Sequence, residues 1–265
     1  MAQPTIALLT DFGLDDFFVP SLKGVILSIN PEARVIDVSH EVPSYDVRAG
    51  GFILASCAPF FPAGTIFLSV VDPGVGTERR ILLARTAKHD FIAPDNGLLT
   101  LALEGAAGLE LRSITSPKFF LSRVSHTFEG RDKMAPAAAW LSLGTPSPEF
   151  GPLQDGYIKH PVLKARIESG RIRGEVAYVD KFGNLITNIP PDLLTALGPG
   201  PAASFTFTLK GESFSLYLDS YARARPGRLF AIPGSVGTVE IALRRDSAAA
   251  RLEAKAGDEV IVAPR

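Results

Sequence analysis

Short apolar runs alternate with amphipathic stretches through the first half of the chain, which predicts an α/β unit built on a largely parallel sheet. Runs at Thr5–Thr10, Arg34–Asp37, Thr65–Val71, Ile81–Thr86 and Phe91–Ala93 read as strands. Between the first two, Val19, Leu22, Val25, Ile26 and Ile29 recur at helical spacing, so Phe17–Ile29 is predicted as a one-sided helix. Further helices are predicted at Val47–Cys57, Leu98–Leu103 and Met134–Leu143. A proline- and glycine-rich stretch from Gly144 to Pro152 then breaks the pattern. Beyond about Val162 the pattern becomes short strands: Arg171–Val179, Leu185–Ile189, Phe205–Leu209, Ser213–Leu218, Leu229–Ile232, Thr238–Leu243 and Glu259–Val262. With one short helix at Asp192–Leu197, they predict a smaller all-β, barrel-like unit. The expected units are residues 1–155 and 163–265.

Polar residues cluster where predicted strands end. The first strand runs into Asp11-Phe12-Gly13-Leu14-Asp15-Asp16, which places Asp11 at a strand terminus and Asp15 or Asp16 at the start of the following helix. A carboxylate at such a point can accept two hydrogen bonds from a sugar diol. Neither G-x-G-x-x-G nor G-x-x-x-x-G-K-[ST] occurs, which favours a nucleoside over a nucleotide. The run Thr65–Val71 delivers Asp72 to a turn built from Pro73, Gly74 and Gly76, with Arg79 seven residues on. Asp72 and Arg79 make either a charged pair facing a cleft or a surface salt bridge beside a tight turn. In the second unit, Asp180-Lys181-Phe182-Gly183-Asn184 interrupts two strands. Phe182 is suited to stack on a heteroaromatic base, and Asn184 to pair with its edge. An ordinary turn with Phe182 in the core is the alternative. Gly234-Ser235-Val236-Gly237-Thr238-Val239-Glu240 offers a glycine-flanked backbone loop suited to a carboxylate.

Composition narrows the class. With 46% hydrophobic residues and a net charge of −1, the chain reads as a soluble globular protein without an electrostatic case for nucleic acid. No apolar run reaches membrane-spanning length, and no signal-peptide profile opens the sequence. A single cysteine, Cys57, suits a reducing, cytoplasmic setting and reads as a buried structural thiol. Four scattered histidines lack metal-ligand spacing, so neither a metal nor another cofactor is expected.

Five segments together resemble one family: Leu9-Thr10-Asp11-Phe12-Gly13, Val71-Asp72-Pro73-Gly74-Val75-Gly76-Thr77, Pro94-Asp95-Asn96-Gly97-Leu98-Leu99, Thr127-Phe128-Glu129-Gly130-Arg131-Asp132 and Asp180-Lys181-Phe182-Gly183-Asn184. In this order they are similar to the S-adenosyl-L-methionine (SAM) hydroxide adenosyltransferases, hydrolase relatives of the SAM-dependent fluorinase and chlorinase. The resemblance spans essentially the whole chain. It implies an α/β domain followed by a β-barrel, a homotrimer with sites between the N-domain of one subunit and the C-domain of its neighbour, and conversion of SAM and water to adenosine and L-methionine. It also implies roles: Asp11, with Asp16 among the substrate-binding residues, for the ribose hydroxyls; Phe182 and Asn184 for adenine; Tyr45 and Tyr221 as aromatic walls; Asp180 and Ser235 for the methionine amino and carboxylate ends. Asp72 and Arg79 match two members of the family's water-activating Asp-Arg-His group. The third is the histidine of a His-Gly-Arg-Asp sequence, and here that position is Glu129. Glu129 can act as base or orienter, or its proximity can raise the pKa of one of two acids unless Arg79 bridges both. Water activation altered or weakened by Glu129 is therefore expected, with a halogenase and a SAM- or adenosine-binding protein as the alternatives.

Overall fold

The first apolar run forms β1 (Thr5–Thr10), and the rest of the first sheet is laid down around it. β1 pairs in parallel with β2 (Arg34–Ser39) on one side and with β3 (Ile66–Val70) on the other. β3 is parallel to β5 (Asp90–Pro94), while β4 (Ile81–Arg85) and β6 (Glu110–Ser113) join antiparallel, giving the order β2-β1-β3-β5-β4-β6. The sheet is thus mixed, parallel at its centre. Every residue of β3 is buried, as expected of a strand covered on both faces. This computed structural model describes residues 3–198 and 205–265 and divides after His160 into two units.

α1 (Phe18–Ile29) buries Val19, Leu22 and Ile26, the face its spacing predicts. It packs beside α3 (Ala135–Ser142), whose Ala135, Ala137, Ala138 and Ala139 are fully buried small residues that let the elements approach closely. Leu22 and Ile26 share a core with Ile6, Leu8, Leu68 and Met134. α2 (Val47–Cys57) turns Gly50 and Gly51 inward. A Cβ on Gly51 would lie 2.9 Å from the Leu98 carbonyl oxygen, and one on Gly50 2.9 Å from Leu98 Cδ1.

Two local expectations fail, and a third holds except for the degree of burial. Leu98–Leu103 is a succession of turns rather than a helix, because its bonds mix spacings: Thr100 N–H to Gly97 O, Leu103 N–H to Leu99 O, Glu104 N–H to Leu101 O. Neither Asp15 nor Asp16 caps α1; Phe17 holds that place without a side-chain bond, and Asp16 lines a cavity instead. Cys57 is half-buried at the end of α2, its thiol pushed up to about 11 by burial, so it is protonated at neutral pH.

The second unit is antiparallel. β7 (Arg166–Glu168) pairs with β8 (Arg171–Val179) as a side branch, and the main path runs β11-β10-β14-β8-β9-β13-β12. Its strands are β9 (Leu185–Thr187), β10 (Phe205–Leu209), β11 (Glu212–Phe214), β12 (Phe230–Pro233), β13 (Val239–Ala242) and β14 (Glu259–Pro264), with short helices α4 (Pro191–Leu197) and α5 (Ala248–Leu252). The chain after β11 bridges to β12 through Leu218 N–H to Ala231 O and Ala231 N–H to Leu216 O, which nearly closes the barrel. Phe207, Val239, Ile241, Val260 and Val262 fill it.

The glycine contacts yield a paired test. Gly51→Ala forces α2 off Leu98 and lowers unfolding stability by about 1–3 kcal/mol. Gly24→Ala, in exposed mid-α1 with nothing within 4 Å, raises it by about 0.5–1 kcal/mol. Denaturant titration of both variants checks the signs.

Candidate active site

Parallel pairing of β1 with β3 aligns Thr10 with Val70. Both strands end on one edge of the sheet, so Asp11 and Asp72 emerge side by side. Around them lies a cavity of about 420 Å³, lined by Asp11, Asp16, Tyr45, Asp72 and Glu129 together with Phe12, Phe18, Val75, Phe128 and Gly130. Five sequence-predicted residues thus share one wall-to-wall space. Arg79, the sixth, stands behind two of them.

Arg79 Nε lies 2.8 Å from each Asp72 carboxylate oxygen, and Nη2 bonds both Asp72 Oδ2 and, at 2.5 Å, Glu129 Oε2. These side chains are 5–8% exposed, so the cleft-facing pair is realised and the surface salt bridge is not. Lys133 Nζ, 2.5 Å from Glu129 Oε1, completes the group. Two carboxylates and two cations cancel. Burial pushes Glu129 upward, but the bonds and charges of Lys133 and Arg79 outweigh it and hold Glu129 below its ordinary value. Burial opposes the Arg79 charge too, yet Asp72 and Glu129 raise its pKa further. The feared elevation of one acid by the other does not occur at Glu129, because Arg79 bridges both.

Neighbouring segments hold this cluster. Asn96 Nδ2 donates to Val71 O at 2.8 Å, bracing the strand end that carries Asp72. Asp95 accepts from Arg80 Nε at 2.8 Å and from Ile158 N–H at 2.7 Å. Gly76 has φ +79°, and a Cβ there would stand 2.5 Å from His126 O, so the turn tolerates only glycine and His126 contributes backbone packing. Glu129 precedes a π-turn, Gly130–Met134, in which Ala135 N–H reaches Gly130 O. Fully buried Asp132 ties that turn to the preceding loop by accepting from Ser125 N–H at 2.7 Å.

Asp11 is half-buried, and burial raises its pKa against the opposing Tyr45 N–H bond, with the Asp72 charge adding to the rise. Tyr45 has φ +67°, rare for a non-glycine residue. Its N–H donates to Asp11 Oδ2 at 2.8 Å while its ring is 72% exposed. Backbone strain of this kind gathers at ligand sites.

The second unit carries a separate cavity of about 1050 Å³. Asp180, Phe182, Asn184, Tyr221 and Ser235 line it, as do Glu240, Arg245 and Ser247. Asp180 Oδ1 accepts from the backbones of Phe182 (2.9 Å) and Asn184 (2.8 Å), and Oδ2 from Asn184 Nδ2 (2.8 Å). Gly183 at φ +78° closes that turn. Phe182 is 77% exposed, so it is a platform beside the cavity and not core. Tyr221 donates to Glu240 Oε2 at 2.7 Å; burial, with that bond, pushes its hydroxyl pKa well up.

Sequence reasoning passed over Lys133 and Arg245, and gave Glu240 no role of its own within the Gly234–Glu240 segment. Lys133 was readable as the i+4 partner of Glu129, and Glu240 as a lone charge within an apolar strand. Among the described residues no group of three or more His, Cys, Asp or Glu is placed to hold a metal, and no helix is long and apolar enough to cross a membrane.

Residues 6–151 match the profile of the SAM hydroxide adenosyltransferase N-terminal domain, and residues 174–261 that of the C-terminal domain. An (R)-S-adenosyl-L-methionine hydrolase of Salinispora arenicola is 35% identical over 98% of each chain. Another, of Thermus thermophilus, is 35% identical over 95% of this chain and 96% of its own. A fluorinase of Nocardia brasiliensis is 30% identical over 79% of each chain. The crystal structure of an uncharacterized conserved protein from Thermotoga maritima matches with TM-score 0.91 and 37% identity, over 97% of this chain and 99% of that one. The chain belongs to the SAM hydroxide adenosyltransferase family.

Proposed function

We propose that this protein hydrolyses SAM to adenosine and L-methionine. The observation that carries the reading is the buried Arg79 bridge between Asp72 and Glu129 in the wall of the cavity that also holds Asp11. A water oxygen attacks the ribose C5′ in line, forming C5′–O as C5′–S breaks; the sulfonium leaves as the neutral thioether of methionine. The proton of the water passes to Asp72 and on to solvent. Arg79 keeps Asp72 oriented, and the anionic Glu129 serves as the second anchor of Arg79 rather than as the base. Asp11, with Asp16 beside it, receives the ribose hydroxyls, and Tyr45 walls the sugar. Phe182 stacks on the adenine, Asn184 meets its edge and Tyr221 walls it. Asp180 and Ser235 take the amino and carboxylate ends. Two buried carboxylates disfavour a halide nucleophile.

Ribose-end residues lie in the first unit and adenine-end residues in the second. The protein is proposed to act as a cytoplasmic homotrimer in which the first unit of one copy and the second unit of another complete each site.

Purified, EDTA-treated protein incubated with SAM is expected to release adenosine and methionine in equal amounts, unchanged by chloride or fluoride. Asp72→Asn lowers kcat by about 10²-fold or more, while Asp11→Ala acts mainly on KM. Haloadenosine, or binding without products, would overturn the reading.

Light scattering is expected to give three copies. Mixing unfolded Asp72→Asn with unfolded Phe182→Ala and refolding them together restores part of the activity that each lacks alone. Mixtures no more active than their components would contradict sites shared between copies.

Glu129 carries a pH signature. Because its folded pKa lies below the ordinary 4.5, its contribution is full above that pH and lost as pH falls below it. Glu129→Gln therefore lowers stability at pH 7 by roughly 1–3 kcal/mol, and parent and variant converge in acid. Glu129→His is expected to be no faster than the parent, since Arg79 and Lys133 lose their shared anion; chromatographic rate measurements decide.

A further inference from the structure

The loop after β2 grips the end of β1 and the loop that follows it at three points, and His40 makes two of them. His40 O accepts from Gly13 N–H at 2.8 Å. His40 Nδ1 lies 2.8 Å from Thr10 Oγ1. The third point is Tyr45 N–H on Asp11 Oδ2, at 2.8 Å. Asp11 is flanked on both sides, by Thr10 and by Gly13.

These groups form a connected chain. Thr10 Oγ1 accepts from Phe12 N–H at 3.3 Å, closing a turn whose apex is Asp11. The hydroxyl keeps a second lone pair and its proton, so it pairs with His40 Nδ1 in either ring tautomer. Nε2 faces Asp37 Oδ1 at 3.0 Å, a close charge contact that lacks the alignment of a hydrogen bond. Asp37 is held in turn by Lys23 Nζ at 2.7 Å. Burial pushes Asp37 up, but the bonds from Lys23 and His40 outweigh it and keep it below its ordinary value. The relay runs from a solvent-exposed ion pair through a ring that is 4% exposed to a fully buried hydroxyl, and ends at the turn that aims Asp11.

We propose that His40 is a positioning residue for substrate binding, acting through Thr10 and Gly13 to hold the Asp11 carboxylate where it meets a ribose diol. It touches no substrate itself. This inference rests on Asp11 holding the ribose, and the following experiment separates the two.

Calorimetry compares adenosine with 2′,3′-dideoxyadenosine on the parent, His40→Asn, Thr10→Val and Thr10→Ser. The parent is expected to prefer adenosine, since only adenosine presents the diol. His40→Asn and Thr10→Val reduce that preference by roughly tenfold while leaving dideoxyadenosine binding unchanged. Thr10→Ser, which keeps the hydroxyl, retains the preference. A merely structural role would weaken both ligands alike or neither. Equal weakening, or an undiminished preference in both His40→Asn and Thr10→Val, overturns the positioning role while the ribose reading stands. A parent that does not distinguish the ligands overturns both. Thr10→Val is isosteric, so it keeps the test open should His40→Asn fail to fold.

Discussion

One guanidinium makes the site possible. Asp72 and Glu129 are brought into the same small, buried space, where two bare carboxylates would repel strongly and one would take up a proton. Arg79 lies between them with hydrogen bonds to both, and Lys133 closes the far side of Glu129. The resulting group is neutral, hydrogen-bonded and rigid. Such an arrangement is costly to break from one side, because removing either partner strands a buried charge. The local supports follow from this need: Asn96 on the Val71 carbonyl, Gly76 beneath His126, and Asp132 on Ser125 all fix the segments that deliver the charges.

The sheet supplies what the charges cannot. Parallel pairing with Thr10 opposite Val70 sets the spacing between the loop of Asp11 and that of Asp72. A one-residue slip would turn each side chain to the opposite face. The antiparallel strands β4 and β6 extend the sheet away from this edge and carry no catalytic group in the proposed reaction. In the second unit the corresponding work is done by a turn. Asp180 anchors the loop that presents Phe182 and Asn184 through three hydrogen bonds and keeps an acceptor position free.

Much of this was legible in the residues. Apolar runs located the central strands because buried parallel strands are nearly continuous in hydrophobicity, and the helical spacing of Val19, Leu22 and Ile26 identified the buried face of α1. Strand-end acids pointed to Asp11 and Asp72 for the same reason. β6, with sequence Glu-Leu-Arg-Ser, was invisible since an edge strand needs little apolar character. The apolar Leu98–Leu103 misled, because its leucines serve turns that pack on α2. Glu129 was recognisable as a departure from the family's histidine, but its state was not. That depends on Arg79 and Lys133 reaching it in three dimensions. His40 gave no local signal either, since its partners Thr10 and Gly13 lie at the end of another strand and in the loop beyond it.

The π-turn at Gly130–Met134 has a further meaning. Such a turn is an α-helix carrying one surplus residue. Each helical residue advances the direction of a side chain by about 100°, so losing that residue would swing the position of Glu129 away from Arg79 without dismantling α3. Evolution thus has at hand, at this point of the chain, a single-codon route for moving a charged group into or out of the pocket. The chemistry of the pocket is open to change by length as well as by substitution.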